Sequence, residues 1–181
     1  ITIAFTFRSF SQPILLFCLM PVSLIGVAWG HWIHGFPVNI LSLLGVIALI
    51  GIMVNDGLVL IGKFNNNLKQ NFNFNEGLID AGKSRFRAIF LTTATTVAGL
   101  TPLLLEKSRQ AQWLKPMAIS VSYGIAFATI LTLILLPIFI SLNNDLKVIF
   151  KWLVSGNYPD KEVVERAIIE KKEEQKMNQM N

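Results

Sequence analysis

Four long stretches of the chain carry almost no charge, and this feature restricts the fold more than any other. They cover residues 14–33, 38–62, 88–105 and 117–142, and their only formally charged residue is Asp56. A helix needs about 20 mostly apolar residues to cross a hydrocarbon core of about 30 Å, so each stretch is predicted to span a membrane. Only 15% of the residues are charged, too few to cover a soluble helical core. The predicted fold class is an all-α membrane protein with four transmembrane helices.

The gaps between the apolar stretches predict the orientation. Counting Lys and Arg, one side of the membrane holds thirteen residues and the other holds three. Positive residues are retained in the cytoplasm, so both ends of this chain are expected to be cytoplasmic. Because the basic residues lie in these gaps and not on a soluble face, the lipid bilayer is the expected partner and nucleic acid is not.

Two segments outside the spans have patterns of their own. Apolar and polar residues alternate over 75–87, which predicts an amphipathic helix lying in the cytoplasmic interface, with a plain linker as the alternative. Residues 144–181 are predicted to form a charged cytoplasmic tail. Its mixed charges over 160–176 indicate a solvated, frayed helix with no assigned chemistry.

Small residues predict how the spans pack, because lipid gives helices no hydrophobic reason to associate. Gly26 and Gly30 have GxxxG spacing in the first span. The fourth span has a small residue at every fourth position over three turns, which predicts a face buried against protein. This stripe consists of Ser120, Gly124, Ala128 and Thr132.

Asp56 is the most informative residue of the chain. A charge at the centre of a membrane helix costs about 2.5–3.5 kcal/mol on insertion scales, so such residues are usually functional. Desolvation disfavours the carboxylate, and a carboxyl group of this kind can load and release a proton. The alternative is a neutral Asp56 that hydrogen-bonds across helices as a structural contact.

Polar neighbours complete a candidate proton-relay site. Asn55 can donate and accept hydrogen bonds, and can therefore hold Asp56 in either protonation state. Thr92 and Thr96 share one face of the third span and are candidates to bind the Asp56 carboxyl or relay waters, with bonding to their own helix as the alternative. Arg85 is expected to anchor the helix to lipid phosphates or to gate the proton exit.

Several other functions fail for lack of suitable residues. Two His and one Cys without ligand spacing predict no metal site and no cofactor, and Cys18 cannot form a disulfide within the chain. An intramembrane aspartyl protease needs two membrane carboxyls, whereas Asp56 is alone. A serine–histidine protease is excluded because His31 and His34 are expected at the outer edge. No enzymatic site is predicted.

Several motifs together resemble one transporter family. They are GIMVNDGLVL at 51–60, RFRAIFLTT at 85–93, VAGLTPL at 97–103, QAQW at 110–113, PMAIS at 116–120 and LTLILLP at 131–137. As a set they resemble the carboxy-terminal membrane region of resistance-nodulation-division (RND) efflux transporters, most closely the hydrophobe/amphiphile branch.

This resemblance covers about residues 1–145. It implies that the four spans, within 13–143, are the last four of twelve, and that residues 1–12 end a preceding helix and a cytoplasmic turn. It further implies a homotrimer in the bacterial inner membrane that exports drugs or other amphiphiles by proton antiport, with protons as the coupling ion. The implied partners are the rest of the protomer, a periplasmic adaptor and an outer-membrane channel.

The resemblance also assigns residues to a proton site between two central helices. One helix, in the other half of the protomer, usually carries paired aspartates, and the other often carries a lysine, at the position of Asn55 here. The relay threonine corresponds to Thr92, and a basic residue of the same path corresponds to Arg85. This chain has Asn55-Asp56 where the well-known pattern is Lys-Asn, which predicts a carboxylate-rich relay. A non-transporting four-helix scaffold or sensor is the alternative function.

Overall fold

The computed structural model describes residues 11–155, 161 and 164–180 and contains five helices and no strand within them. The expected end of a preceding helix falls mostly on residues 1–10, outside the described residues. In chain order the helices are α1 (Ser11–His34), α2 (Ile40–Lys69), α3 (Phe74–Leu105), α4 (Arg109–Ser155) and α5 (Arg166–Met180). The first four are long and apolar enough to cross a membrane, which confirms the predicted fold class.

Short turns join the membrane helices. Gly35 ends α1 with a φ of 65°, a left-handed conformation that favours glycine. Asn39 then caps α2, because its side chain accepts from the Ser42 backbone N–H at 3.0 Å while the Ser42 hydroxyl bonds the Asn39 N–H. At the other end of α2, Asn71 takes a φ of 67° and turns the chain into α3. We call the end of the bundle that is formed by the turn between α2 and α3 (residues 70–73) and by α5 the basic end.

Helix α4 lies at the centre of the bundle and packs against α1, α2 and α3. All four residues of its small-residue stripe are buried, which confirms the predicted protein-facing side. A Cβ added at Gly26 of α1 would lie 2.8 Å from the Tyr123 backbone oxygen, and one added at Gly45 of α2 would lie 2.7 Å from the Met117 oxygen. The backbones therefore approach as closely as glycine allows.

The helices run past the predicted spans at the basic end. No separate interfacial helix exists over 75–87, because these residues form the first part of the continuous helix α3. Phe74, Leu78 and Ala81 of this part are buried against the basic end of α2, so protein covers part of its apolar surface, while Ile79 and Phe86 stay exposed. Likewise α4 continues beyond residue 142 to Ser155, into the predicted tail.

Helix α5 is docked at its start, so the prediction of a solvated, frayed helix is wrong there, whereas Lys172, Gln175 and Met177 further along are exposed. Ala167 is buried and belongs to the same apolar cluster as Phe64 and Leu68 of α2. Sequence periodicity missed this contact because α5 buries only a few small or half-buried residues.

Candidate proton-relay site

Asp56 lies at the edge of the buried side of α2. The residues that flank it on that side, Met53, Gly57 and Leu60, are buried against neighbouring helices. A Cβ at Gly57 would collide with the Leu16 side chain of α1, which fixes the rotation of α2 about its axis. Asp56 is therefore held half-buried, two turns of helix from the basic Lys63.

The Asp56 carboxyl forms no hydrogen bond or ion pair within the part of the chain that the structure describes. The adjacent Asn55 is exposed and does not hold the carboxyl as expected. Both polar side chains therefore keep their hydrogen-bonding capacity for groups outside the four-helix bundle. The proton-relay role of these two residues stays a prediction.

Contacts at the basic end set the register of α2 against α3. The Lys63 ammonium lies 3.6 Å from an Asp80 carboxylate oxygen, and the Asn67 amide donates to the Gly77 carbonyl at 2.9 Å. For antiparallel helices this register places residues 87–88 level with Asp56. At 1.5 Å per residue, Thr92 lies about 7 Å further from the basic end and Arg85 about 4 Å closer to it. Measured along the helix axis, Asp56 therefore lies between the levels of Arg85 and Thr92.

The threonine hydroxyls bond their own helix, which is the alternative that the sequence left open. Thr92 donates to the Ala88 carbonyl at 2.6 Å, and Thr96 donates to the Thr92 carbonyl at 2.8 Å. Neither hydroxyl reaches Asp56 in this arrangement. A hydroxyl bonded in this way can still accept a hydrogen bond from water or another side chain.

Thr93 has a role that the sequence did not reveal. Its hydroxyl is buried and hydrogen-bonds the Thr129 hydroxyl, joining α3 to α4. The sequence offered no signal for this pair, because Thr93 looks like the four other threonines of the span. It marks the protein-facing side of α3, which leaves Thr92 and Thr95 on the exposed side.

Arg85 is half-buried, and its Nε is a buried donor without a partner in the described residues. An unpaired buried donor costs free energy, so this group is suited to bind an acceptor that this bundle does not provide. Its position one turn or less from the level of Asp56 fits the predicted path. The roles of Arg85 as a lipid anchor or exit gate stay predictions.

His31 lies in the last turn of α1, at the predicted end of the first span, but its side chain is buried. It is 4% exposed, and its ring nitrogens bond the Phe36 carbonyl at 3.1 Å and the Ser120 hydroxyl at 3.0 Å. The exclusion of a serine–histidine protease rests on the expectation that no histidine is buried, and for His31 that expectation is wrong. The cause is the close approach of Gly30 to α4, which places the neighbouring ring over Ser120. Ser120 is fully buried, so this pair is a helix–helix contact and not an accessible nucleophile.

The described residues contain no group of three or more His, Cys, Asp or Glu side chains arranged to hold a metal ion. The chemistry that these residues offer is that of a single carboxyl group in a membrane helix. Along the helix axis, this carboxyl group lies between the level of Thr92 on the exposed side of α3 and the level of Arg85.

The four long apolar helices place the chain among helical, multi-pass membrane proteins. A sequence model described as the AcrB/AcrD/AcrF family matches residues 1–143. The chain belongs to this family of RND transporters.

Individual relatives agree with this family. The chain is 29% identical over 139 residues to the swarming motility protein SwrC of Bacillus subtilis, which covers 76% of the chain and 13% of SwrC. It is 28% identical over 132 residues to the cobalt-zinc-cadmium resistance protein CzcA of Cupriavidus metallidurans, covering 73% of the chain and 12% of CzcA. It is 31% identical over 118 residues to the nickel-cobalt-cadmium resistance protein NccA of Alcaligenes xylosoxydans xylosoxydans, and this match covers 65% of the chain and 11% of NccA. The chain thus spans about an eighth of the length of these relatives.

Proposed function

We propose that this chain supplies half of the proton-relay site of an RND exporter that works by proton antiport in the bacterial inner membrane. Asp56 is the proton-binding residue, with Asn55, Thr92, Thr96 and Arg85 as the polar groups around its path. The observation that carries the proposal is an acid at membrane depth on a fixed face of α2, with no partner in the described bundle. Such a residue is costly in a membrane and marks an ion path by default.

The proposed path uses the side of α2 and α3 that α4 does not cover. Thr92 and Asn55 are exposed there, and Asp56 lies at the border of the covered side. The remaining protomer is proposed to pack on this side and to supply the second half of the relay. With Asn55 in place of a cation, carboxyl groups brought together there repel one another when ionised. The relay is therefore expected to hold at least one proton.

Replacing Asp56 by asparagine in the full-length protein tests the proposal. Asp56→Asn keeps the size and polarity of the side chain but cannot release a proton. Proton-coupled transport in proteoliposomes with an imposed pH gradient is expected to fall to background, while the amount of folded protein stays unchanged. Asp145→Asn makes the same chemical change outside the predicted spans and is expected to transport normally.

Normal transport by Asp56→Asn would show that Asp56 is a structural contact. If Asp56→Leu is also tolerated, and no substrate moves in wild-type vesicles under a pH gradient, the scaffold or sensor alternative replaces the exporter.

We propose drugs or other amphiphiles as the exported substrates, on the resemblance to the hydrophobe/amphiphile branch. A metal cation is the second candidate, and the similarity to CzcA and NccA, which are named as metal resistance proteins, favours it. The same proteoliposomes distinguish the two, with ethidium as the amphiphile probe and Zn²⁺ or Co²⁺ as the metal probe. Coupled movement of the metals without ethidium would reject the amphiphile assignment.

The proposed partners follow from the family. A homotrimer, a periplasmic adaptor and an outer-membrane channel are expected for the full-length protein, with the basic end in the cytoplasm. Cross-linking of the full-length protein in intact cells tests the trimer. Labelling of a cysteine introduced at exposed Lys172 by a membrane-impermeant reagent tests the orientation, because a cytoplasmic site reacts only after the membrane is opened.

A further inference from the structure

Helix α5 is fastened to the turn between α2 and α3 by charged groups. The Lys69 ammonium lies 2.9 Å from a Glu170 carboxylate oxygen. The Lys171 ammonium donates to the Lys69 backbone carbonyl at 2.6 Å and to the Asn71 side-chain oxygen at 2.7 Å. Lys171 thus binds the last residue of α2 and the left-handed residue that turns the chain into α3.

The start of α5 is anchored to α4 by a buried charge. Glu165 is 3% exposed and accepts a hydrogen bond from the Asn144 amide at 2.8 Å. Its carboxylate also lies 3.4 Å from the Lys147 ammonium. A buried carboxylate is stable only when it is paired in this way, since one left without partners is strongly destabilising. The same Asn144 amide donates to the Lys161 carbonyl at 2.9 Å, which ties down the chain that leads into α5.

Between these two anchors α5 covers the end of α2. Ala167 is buried in the apolar cluster that contains Phe64 and Leu68, and Ile168 packs against the same cluster. The segment therefore joins two helices, α2 and α4, that are also packed together inside the predicted membrane.

We propose that residues 164–172 are a strap that holds the basic end of α2 against α4. Lys69, where the strap is attached, lies 13 residues and about 20 Å along the helix axis from Asp56. The strap restrains the end of the helix that carries the membrane acid. This inference goes beyond the proposed function, because it concerns the mobility of α2 and holds whether or not Asp56 moves protons.

Backbone amides of the turn report directly on the strap. The N–H groups of Gln70, Asn71 and Phe72 all donate to carbonyls in the last turn of α2, so they exchange with deuterium only when that turn opens. Hydrogen–deuterium exchange of the peptide covering 66–73, measured on the full-length protein, therefore measures opening of the strapped end.

Lys171→Glu reverses the charge that bonds the turn, and is expected to speed exchange of this peptide about three- to tenfold, because hydrogen bonds of a partly exposed lysine are weakened by solvent screening. Lys172→Glu is the matched control, because Lys172 is the neighbouring lysine with the same charge change and an exposed side chain. It is expected to exchange at the wild-type rate. Glu170→Lys is also expected to speed exchange, and Lys69→Glu combined with Glu170→Lys is expected to restore it by forming the reversed ion pair.

Rapid, unprotected exchange of this peptide in the wild-type protein would overturn the strap. So would equal acceleration by Lys171→Glu and Lys172→Glu, which would indicate a general charge effect, or a failure of the reversed pair to restore protection. Acceleration that is confined to Lys171→Glu and Glu170→Lys, with recovery in the double variant, supports it.

Discussion

Replacing Gly26 by alanine is expected to force α1 away from α4. The added Cβ would lie 2.5 Å from the Phe127 Cβ and 2.8 Å from the Tyr123 backbone oxygen. Carbon atoms in contact normally lie about 3.5–4.0 Å apart, so the helices must separate by about 1 Å. A side chain can rotate away from such a clash, but the Tyr123 carbonyl is part of the α4 backbone and cannot.

The cost of this separation can be estimated from overpacked interiors. Inserting a methyl group into a closely packed site destabilises proteins by about 1–3 kcal/mol. Alanine also has a higher helix propensity than glycine by about 1 kcal/mol, which offsets part of the loss. The net expectation for Gly26→Ala is a free energy of unfolding lower than wild type by up to about 2 kcal/mol, and about 1–3 kcal/mol lower than for a glycine-to-alanine change that meets no neighbour.

Gly82→Ala is the matched control, because a Cβ at Gly82 of α3 has no neighbour within 4 Å among the described atoms. Only the gain in helix propensity remains there, so its free energy of unfolding is expected to equal or exceed the wild-type value. Unfolding of the full-length protein by titration with sodium dodecyl sulfate, followed by tryptophan fluorescence, measures both variants against wild type.

A free energy of unfolding of Gly26→Ala as high as that of Gly82→Ala would refute the close approach of α1 and α4. A loss for Gly82→Ala as large as that for Gly26→Ala would refute the explanation by packing, because it would show that any added methyl group is harmful.

Two buried polar contacts give further predictions. Thr93→Val and Thr129→Val should each lower the free energy of unfolding by about 0.5–1.5 kcal/mol, because each change leaves the other hydroxyl without its partner. The double variant should lose less than the sum of the two single losses. Titration of all three variants with sodium dodecyl sulfate checks this, and additive losses would contradict it. His31→Leu should cost about 1–3 kcal/mol by leaving the Phe36 carbonyl and the Ser120 hydroxyl without their partner; equal stability in the same titration would show that His31 is not a packing contact.

Local sequence patterns were sufficient to predict the membrane helices and the buried side of α4. The apolar stretches predicted the spans because hydrophobic length is a property of each segment alone. The stripe from Ser120 to Thr132 was equally readable, because a repeat of four places residues on one helical face. Both predictions depend on neighbours in sequence and on no distant partner.

The features that the sequence missed depend on residues far apart in the chain. His31 is buried because Ser120, 89 residues later, lies beneath its ring. Helix α5 is docked because Lys171 meets the turn at Asn71, 100 residues earlier. The pattern of apolar residues over 75–87 predicted an interfacial helix. A helix that packs on the end of α2 has the same amphipathic pattern as one that lies on a lipid surface, so the sequence could not distinguish the two.

The sequence singled out the residues of the candidate site but not their arrangement. Asp56 stood out because a lone acid in an apolar run has an obvious energetic cost. Which threonine faced α4 could not be read, because hydroxyls every few residues give each side of α3 a candidate. The structure selects Thr93 for packing and leaves Thr92 for the exposed side.

The length of α4 has a mechanical consequence. The helix runs unbroken for 47 residues, and its last 13 extend about 20 Å beyond the apolar stretch at 1.5 Å per residue. A rod of this kind acts as a lever. Tilting it by about 10° about the end of the apolar stretch would move Ser155 sideways by about 3.5 Å. Because Asn144 and Lys147 of this extension hold Glu165, small tilts of the apolar part would be transmitted to the strap.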